Sequence, residues 1–219
     1  MTNNINWRHL VLELFVVFLG VTAGFILNNW RSNIHDIKYE QRYLQGFLQD
    51  VEANIEGLEE QVLRDSLWLE RSKLLLDLLE TSSLSLDSVE AVVGRITEYS
   101  KITTITGTWK DIINSGNLNL IRNLELKEEI VSYQVEIENV EFIDDYLFQY
   151  YDNYNMPFLV EEFSIVKGSL EDSNKIYGTK FTNIFAIYYA LVNQRFGAYK
   201  GLLQTSYTLQ EILNQNLQK

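Results

Sequence analysis

The chain has 219 residues, 46% of them hydrophobic, with a formal net charge of −12 and no cysteine. That composition is too apolar for a disordered chain, and its acidic surface repels phosphate backbones, so nucleic-acid binding is excluded as a function class. Without cysteine, thiol nucleophiles, thiolate zinc sites and iron–sulfur clusters are excluded too.

Residues 1–9 are a short N-terminal tail, followed by an apolar stretch from Leu10 to Leu27 whose single charge is Glu13. Asn28, Asn29 and Trp30 complete it as a polar, interfacial end, and about 20 such residues cross a bilayer as a helix, so 10–30 is predicted to be a transmembrane helix. The basic start is only Arg8, and small residues do not precede Arg31, so the segment reads as an uncleaved anchor rather than a signal peptide. Arg8 precedes the span, while Arg31, Lys38 and Arg42 follow it. That bias puts the soluble part in the cytoplasm, whereas the lack of cysteine suits an exported domain equally well.

Glu13 costs on the order of 3 kcal/mol in hydrocarbon unless it meets water, a partner or a proton. At 100° per residue, Gly20, Gly24 and Arg31 fall on the same side as Glu13, and Gly-x-x-x-Gly spacing lets membrane helices touch backbone to backbone. Three readings follow. Copies associate along this face and Glu13 lines an ion or proton path, including a stator-like proton site. Alternatively, Glu13 reaches the headgroups or Arg8 while the glycines pack a dimer. In the third, a second membrane subunit supplies the counter-charge.

No proline or turn cluster interrupts Trp7 to about Leu79, so a long membrane-proximal helix over 31–82 is expected to continue from the span, with Gly46 and Gly57 its weakest points. Its packing stripe reads as Leu48, Val51, Ile55, Leu58 and Val62. Asp87 caps a second helix to about Tyr99, and the β-branched 101–106 is an extended link. Thr108 and Asp111 resemble a capping box, and Ser115-Gly116-Asn117 a turn with a left-handed glycine. Asn123 caps a long helix to about Asn155, before the sole proline, Pro157. Residues 164–180 read as a surface loop, and Thr182 or Asn183 starts the last helix. The predicted fold is all-α, with 83–219 forming the remainder of a helical bundle.

At this point two segments carry a resemblance: the anchor Val17-Phe-Leu-Gly-Val-Thr-Ala-Gly-Phe-Ile-Leu-Asn-Asn-Trp30 with Glu13 upstream, and Trp109 to Tyr133 containing Ser115-Gly116-Asn117-Leu118. They resemble an uncharacterised bacterial family of single-pass membrane-anchored helical proteins. The resemblance implies a bacterial inner-membrane protein and no activity; Leu12 stands where that family usually has a glycine before its glutamate.

Catalytic patterns are lacking. His9 and His35 have no carboxylate three residues before them, phosphate-binding glycine loops are missing, and no Ser-His-Asp set assembles. The pairs Glu59-Glu60, Glu128-Glu129, Asp144-Asp145 and Glu161-Glu162 read as solvated helix faces. Aromatic rows at Phe142, Tyr146, Tyr150, Tyr154 and Phe158, and at Phe181, Phe185, Tyr189, Phe196 and Tyr199, read as bundle packing. No cofactor or metal is expected. The partners expected are the lipid bilayer, further copies of the chain and a membrane or soluble protein. The function expected is non-enzymatic, a sensor, effector or pore-like assembly such as bacterial defence employs, with an anchored scaffold or accessory subunit as the alternative.

Overall fold

A computed structural model describes residues 7–81, 93–164, 166, 169–170 and 172–218. Helix α1, Trp7–Glu80, is unbroken and runs about 110 Å at 1.5 Å per residue. A short helical segment at 93–97 leads through 98–106, which has no regular secondary structure, into α2, Gly107–Asn114, and a 3₁₀ turn, Asn117–Leu120. Asp87 lies outside the described residues. Helix α3 is Leu124–Tyr150, α4 is Met156–Glu162 and α5 is Thr179–Leu217. Between α4 and α5 lie a two-residue antiparallel hairpin, Phe163–Ser164 with Ser169–Leu170, and a 3₁₀ turn, Ser173–Tyr177. The fold is all-α: α1, α3 and α5 form a three-helix bundle, α5 running antiparallel to the other two, as the pairs Asp65–Arg195, Asn54–Tyr133 and Asn123–Asn216 establish.

The buried seam of α1 steps by three and four through Leu44, Phe47, Val51, Asn54, Leu58, Gln61, Asp65, Trp68, Ser72, Leu75 and Leu79. This is a heptad repeat, the spacing that keeps one side of a helix against long neighbours. It corrects the apolar stripe read from the sequence. Leu48 and Val62 sit at the seam's edge, because Asn54 and Gln61 occupy positions that an apolar count passes over. The seams of α3 (Ile130, Tyr133, Ile137, Val140, Asp144, Leu147) and α5 (Phe181 to Leu213) follow the same spacing.

Two apolar cores result. The membrane-proximal one joins Tyr43–Leu58 to Ile112, α3 and the C-terminal half of α5; the distal one joins Trp68–Leu79 to Val93, Ile96, Phe158 and the N-terminal half of α5. Asp65, Asp144 and Arg195 lie between them.

Local chemistry moves several expected boundaries. Pro157 does not end the helical run: a π-helical turn, Tyr151–Asn155, precedes it, and α4 then holds the proline in its first turn, where a missing N–H costs nothing. Phe158, beyond that turn, faces the core, while Phe142, Tyr146 and Tyr154 are exposed, the first two because they lie opposite α3's own seam, which corrects the reading of that row as packing. In the other row Phe181, Phe185 and Tyr199 are buried as core residues. Helix α5 starts at Thr179, earlier than expected, after the 3₁₀ turn that Asp172 caps through the Asn174 N–H.

Candidate functional site

Three groups of residues stand out along α1 and its neighbours: the outward face of the apolar segment, a strap that grips α1 where it leaves that segment, and a charged layer in the bundle. In the apolar segment, one helix long and apolar enough to cross a membrane, the hydropathic window is wholly unburied within the chain. Glu13 is exposed, and His9 Nδ1 lies 3.6 Å from its carboxylate, one turn back. A Cβ added at Gly20 or Gly24 would meet open space, and Arg31 is also exposed. The unbroken helix carries these four residues down one side.

The strap is residues 107–122. Its helix α2 is capped from outside: Thr106 gives no side-chain cap, and Asp50 Oδ2 on α1 accepts from the Thr108 N–H at 2.8 Å. That corrects the expected Thr108–Asp111 box, since a carboxylate on the neighbouring helix has taken the free donor. The contact is close. A Cβ on Gly46 would lie 2.7 Å from Thr108 Oγ1, so the glycine expected to weaken α1 is where the strap seats instead.

After α2, Gly116 turns the chain at φ 70°, in the left-handed region that favours glycine. The turn presents Ser115 and Asn117 to Tyr43: the Tyr43 and Ser115 hydroxyls share a hydrogen bond of 3.1 Å, and Asn117 Nδ2 donates to Tyr43 Oη at 2.9 Å. Trp109 packs part-buried against the membrane-proximal core. Further along, the Arg122 N–H donates to Glu40 Oε1 at 2.7 Å and Arg122 Nη2 to Asn33 Oδ1 at 2.7 Å. Asn33 is three residues beyond Trp30, so Arg122 reaches α1 just past the apolar segment, while Ser115 and Asn117 meet it about three turns further on, at Tyr43.

Distal to the strap lies the charged layer. Arg195 on α5 donates to Asp65 on α1 through Nε at 3.0 Å and Nη2 at 2.6 Å, and through Nη1 to the Ser100 carbonyl. Asp144 on α3 stands 4.0 Å from Nη1 and accepts from the Tyr199 hydroxyl at 2.7 Å. Gln61 Nε2 ties Asp65 to the Ser100 hydroxyl. The Arg195 and Asp65 side chains are 4% and 3% exposed, so this is a fully desolvated ion pair shared by all three long helices. Burial raises Asp144 to about 6, against the Tyr199 hydrogen bond and the Arg195 charge. Burial works against the Arg195 cation, but Asp65 outweighs it and raises the guanidinium above its usual value. Burial, then Asp144, pushes Tyr99 up to about 12.

Beside the layer a half-open cleft of about 340 Å³ is lined by Arg64, Trp68, Tyr99, Tyr188 and Arg195, among others. Its buried arginine is committed to Asp65, Ser100 and Asp144, and the Tyr188 hydroxyl donates to the Glu98 carbonyl. Among the described residues no three His, Asp or Glu side chains group as metal ligands.

Sequence reading passed over this layer. Asp144 is buried while Asp145 is solvated beside Lys101, at 3.5 Å, which corrects the reading of the pair as one solvated face. A signal existed: Asp65, Asp144 and Arg195 each occupy a heptad seam position, where a charge has to find a partner. The pairs Glu59-Glu60, Glu128-Glu129 and Glu161-Glu162 do lie outside the buried core. Compared with protein-family models, curated proteins and solved structures, the chain has no match.

Proposed function

We propose that the chain is a non-enzymatic, single-pass protein of a bacterial inner membrane that self-associates through its span and couples the state of its bundle to that span. One observation carries the reading: α1 is a single helix whose first third is wholly unpartnered and whose remainder supplies a seam to both cores. A continuous helix transmits rotation or tilt about its own axis, and the strap at Asn33, Glu40, Tyr43 and Asp50 stiffens it at the exit from the apolar segment. The Glu13–Gly20–Gly24–Arg31 face supplies the contact between copies: the glycines permit close approach, and a neighbouring span gives Glu13 a polar setting that lipid tails do not. The bundle is on the cytoplasmic side, following the Lys and Arg bias. Its output is permeability or engagement of a partner, as in sensors and effectors of bacterial defence.

The test is the oligomeric state of the full chain in lipid nanodiscs or native membranes, read by cross-linking and mass measurement. A symmetric assembly that disperses on Gly20→Leu or Gly24→Leu is the expected result; a monomer in lipid overturns the proposal. Ion flux in liposomes, and its loss on Glu13→Gln, separates a pore-like assembly from one that only transmits. A second reading, an anchored scaffold that docks a partner protein, is favoured by the outward face of α3.

A further inference from the structure

Helix α3 is apolar on two sides. Opposite its buried seam, Val131, Val135, Phe142 and Tyr146 fall within about 60° of arc at 100° per residue, and they remain exposed, Phe142 at 70% and Val135 at 59%. The row spans about 22 Å, some four helical turns. Leu124, 63% exposed, extends it toward the membrane-proximal end. Nothing else in the described chain covers it, although the same helix buries a full seam on its other side.

The borders of the row are acidic. Glu128 flanks one edge and Glu138 the other, where Lys127 and the Asp145–Lys101 pair also lie; over its whole length α3 carries eight carboxylates against the single Lys127. This charge pattern decides among occupants. A second copy of α3, parallel or antiparallel, would set carboxylate borders against carboxylate borders and be repelled. An anionic lipid surface is repelled for the same reason. A helix with an apolar stripe edged by Lys and Arg meets both features at once, burying Phe142 and Val135 and pairing the acidic borders.

We propose that this outer face of α3 is a docking surface for a basic amphipathic helix of another protein. The inference rests on the scaffold reading and names the chemistry of the partner. Phe142 and Val135 are the apolar anchors; Glu128 and Glu138 set orientation and speed association.

Because the chain has no cysteine, the face can be watched alone. Full-length protein carrying Ser132→Cys, labelled with an environment-sensitive fluorophore at the edge of the row, is placed in zwitterionic nanodiscs and titrated with a synthetic Leu/Lys amphipathic helix. A Leu/Glu helix of the same pattern is the control, and a fluorophore at Arg71→Cys on α1 reports binding elsewhere, including to lipid. The expected result is a saturable 1:1 shift at position 132 only. It weakens at least tenfold in Val135→Ser/Phe142→Ser with unchanged circular dichroism, weakens with added salt, and does not occur with the Leu/Glu helix. A shift that survives the double substitution, an equal response at position 71, or no shift overturns the docking surface. Concentration-dependent burial of the label without peptide overturns it in favour of a second copy. The scaffold reading fails separately, if native membranes yield no stoichiometric partner of the wild-type chain.

Discussion

Two carboxylates on one helix face opposite problems. Glu13 sits in the apolar third of α1 with its side chain 72% exposed and one histidine 3.6 Å away; Asp65, in the bundle, is 3% exposed and held by both prongs of Arg195. The chain itself answers the cost of burying Asp65, through an arginine 130 positions along and Gln61 one turn back on the same helix. For Glu13 the partner seen among the described residues is His9, itself exposed. The seam charge is closed within the fold, and the charge in the apolar segment is left facing outward.

The largest effect expected from breaking this contrast is at Arg195. Arg195→Leu strands Asp65 and Asp144 without their cation and should destabilise the bundle by about 3–5 kcal/mol, read as a lowered denaturation midpoint. Replacing Asp65, Asp144 and Arg195 together with Leu, Leu and Met should recover most of that loss, since no unpaired buried charge remains. Glu13→Gln is the matching substitution in the span, and should leave the same midpoint unchanged.

Next comes Asp144 and its pH dependence. Its folded value, about 6, is raised above the ordinary carboxylate value of 3.8, so the folded state holds the proton more tightly than the unfolded one. Its contribution is therefore fully present below about pH 4 and is lost as pH rises through about 6, a change of up to about 3 kcal/mol. Asp144→Asn should flatten the stability profile between pH 4 and 6 in denaturant titrations; an unchanged slope there would show that the side chain is ionised throughout.

Aromatic residues sharpen the contrast further. Phe158→Ala, in the distal core, should cost about 3–5 kcal/mol, whereas Phe142→Ser on the outer face of α3 should stay within about 0.5 kcal/mol. The strap falls between those two. Tyr43→Phe removes the hydroxyl that Ser115 and Asn117 share, which should cost about 1 kcal/mol and raise hydrogen exchange in 107–122 before the rest of the bundle.

The sequence alone determined much of this. One proline, few glycine clusters and helical spacing gave long helices and an all-α fold, because those are properties of local backbone and periodicity. The apolar stretch before Asn28, a link without helix at 101–106, the Asn123 cap, which accepts from the Leu126 N–H at 3.2 Å, and Gly116 were legible for the same reason: each depends on near neighbours. Only the tertiary structure decided which polar residues fill the seams, that Asp50 caps α2 and Gly46 seats it, that a π turn carries the helix past Pro157, and that Phe142 and Tyr146 lie on the outer side of α3. Those facts depend on partners tens of residues away, and a carboxylate in a heptad seam reads the same as one in water until its arginine is in place.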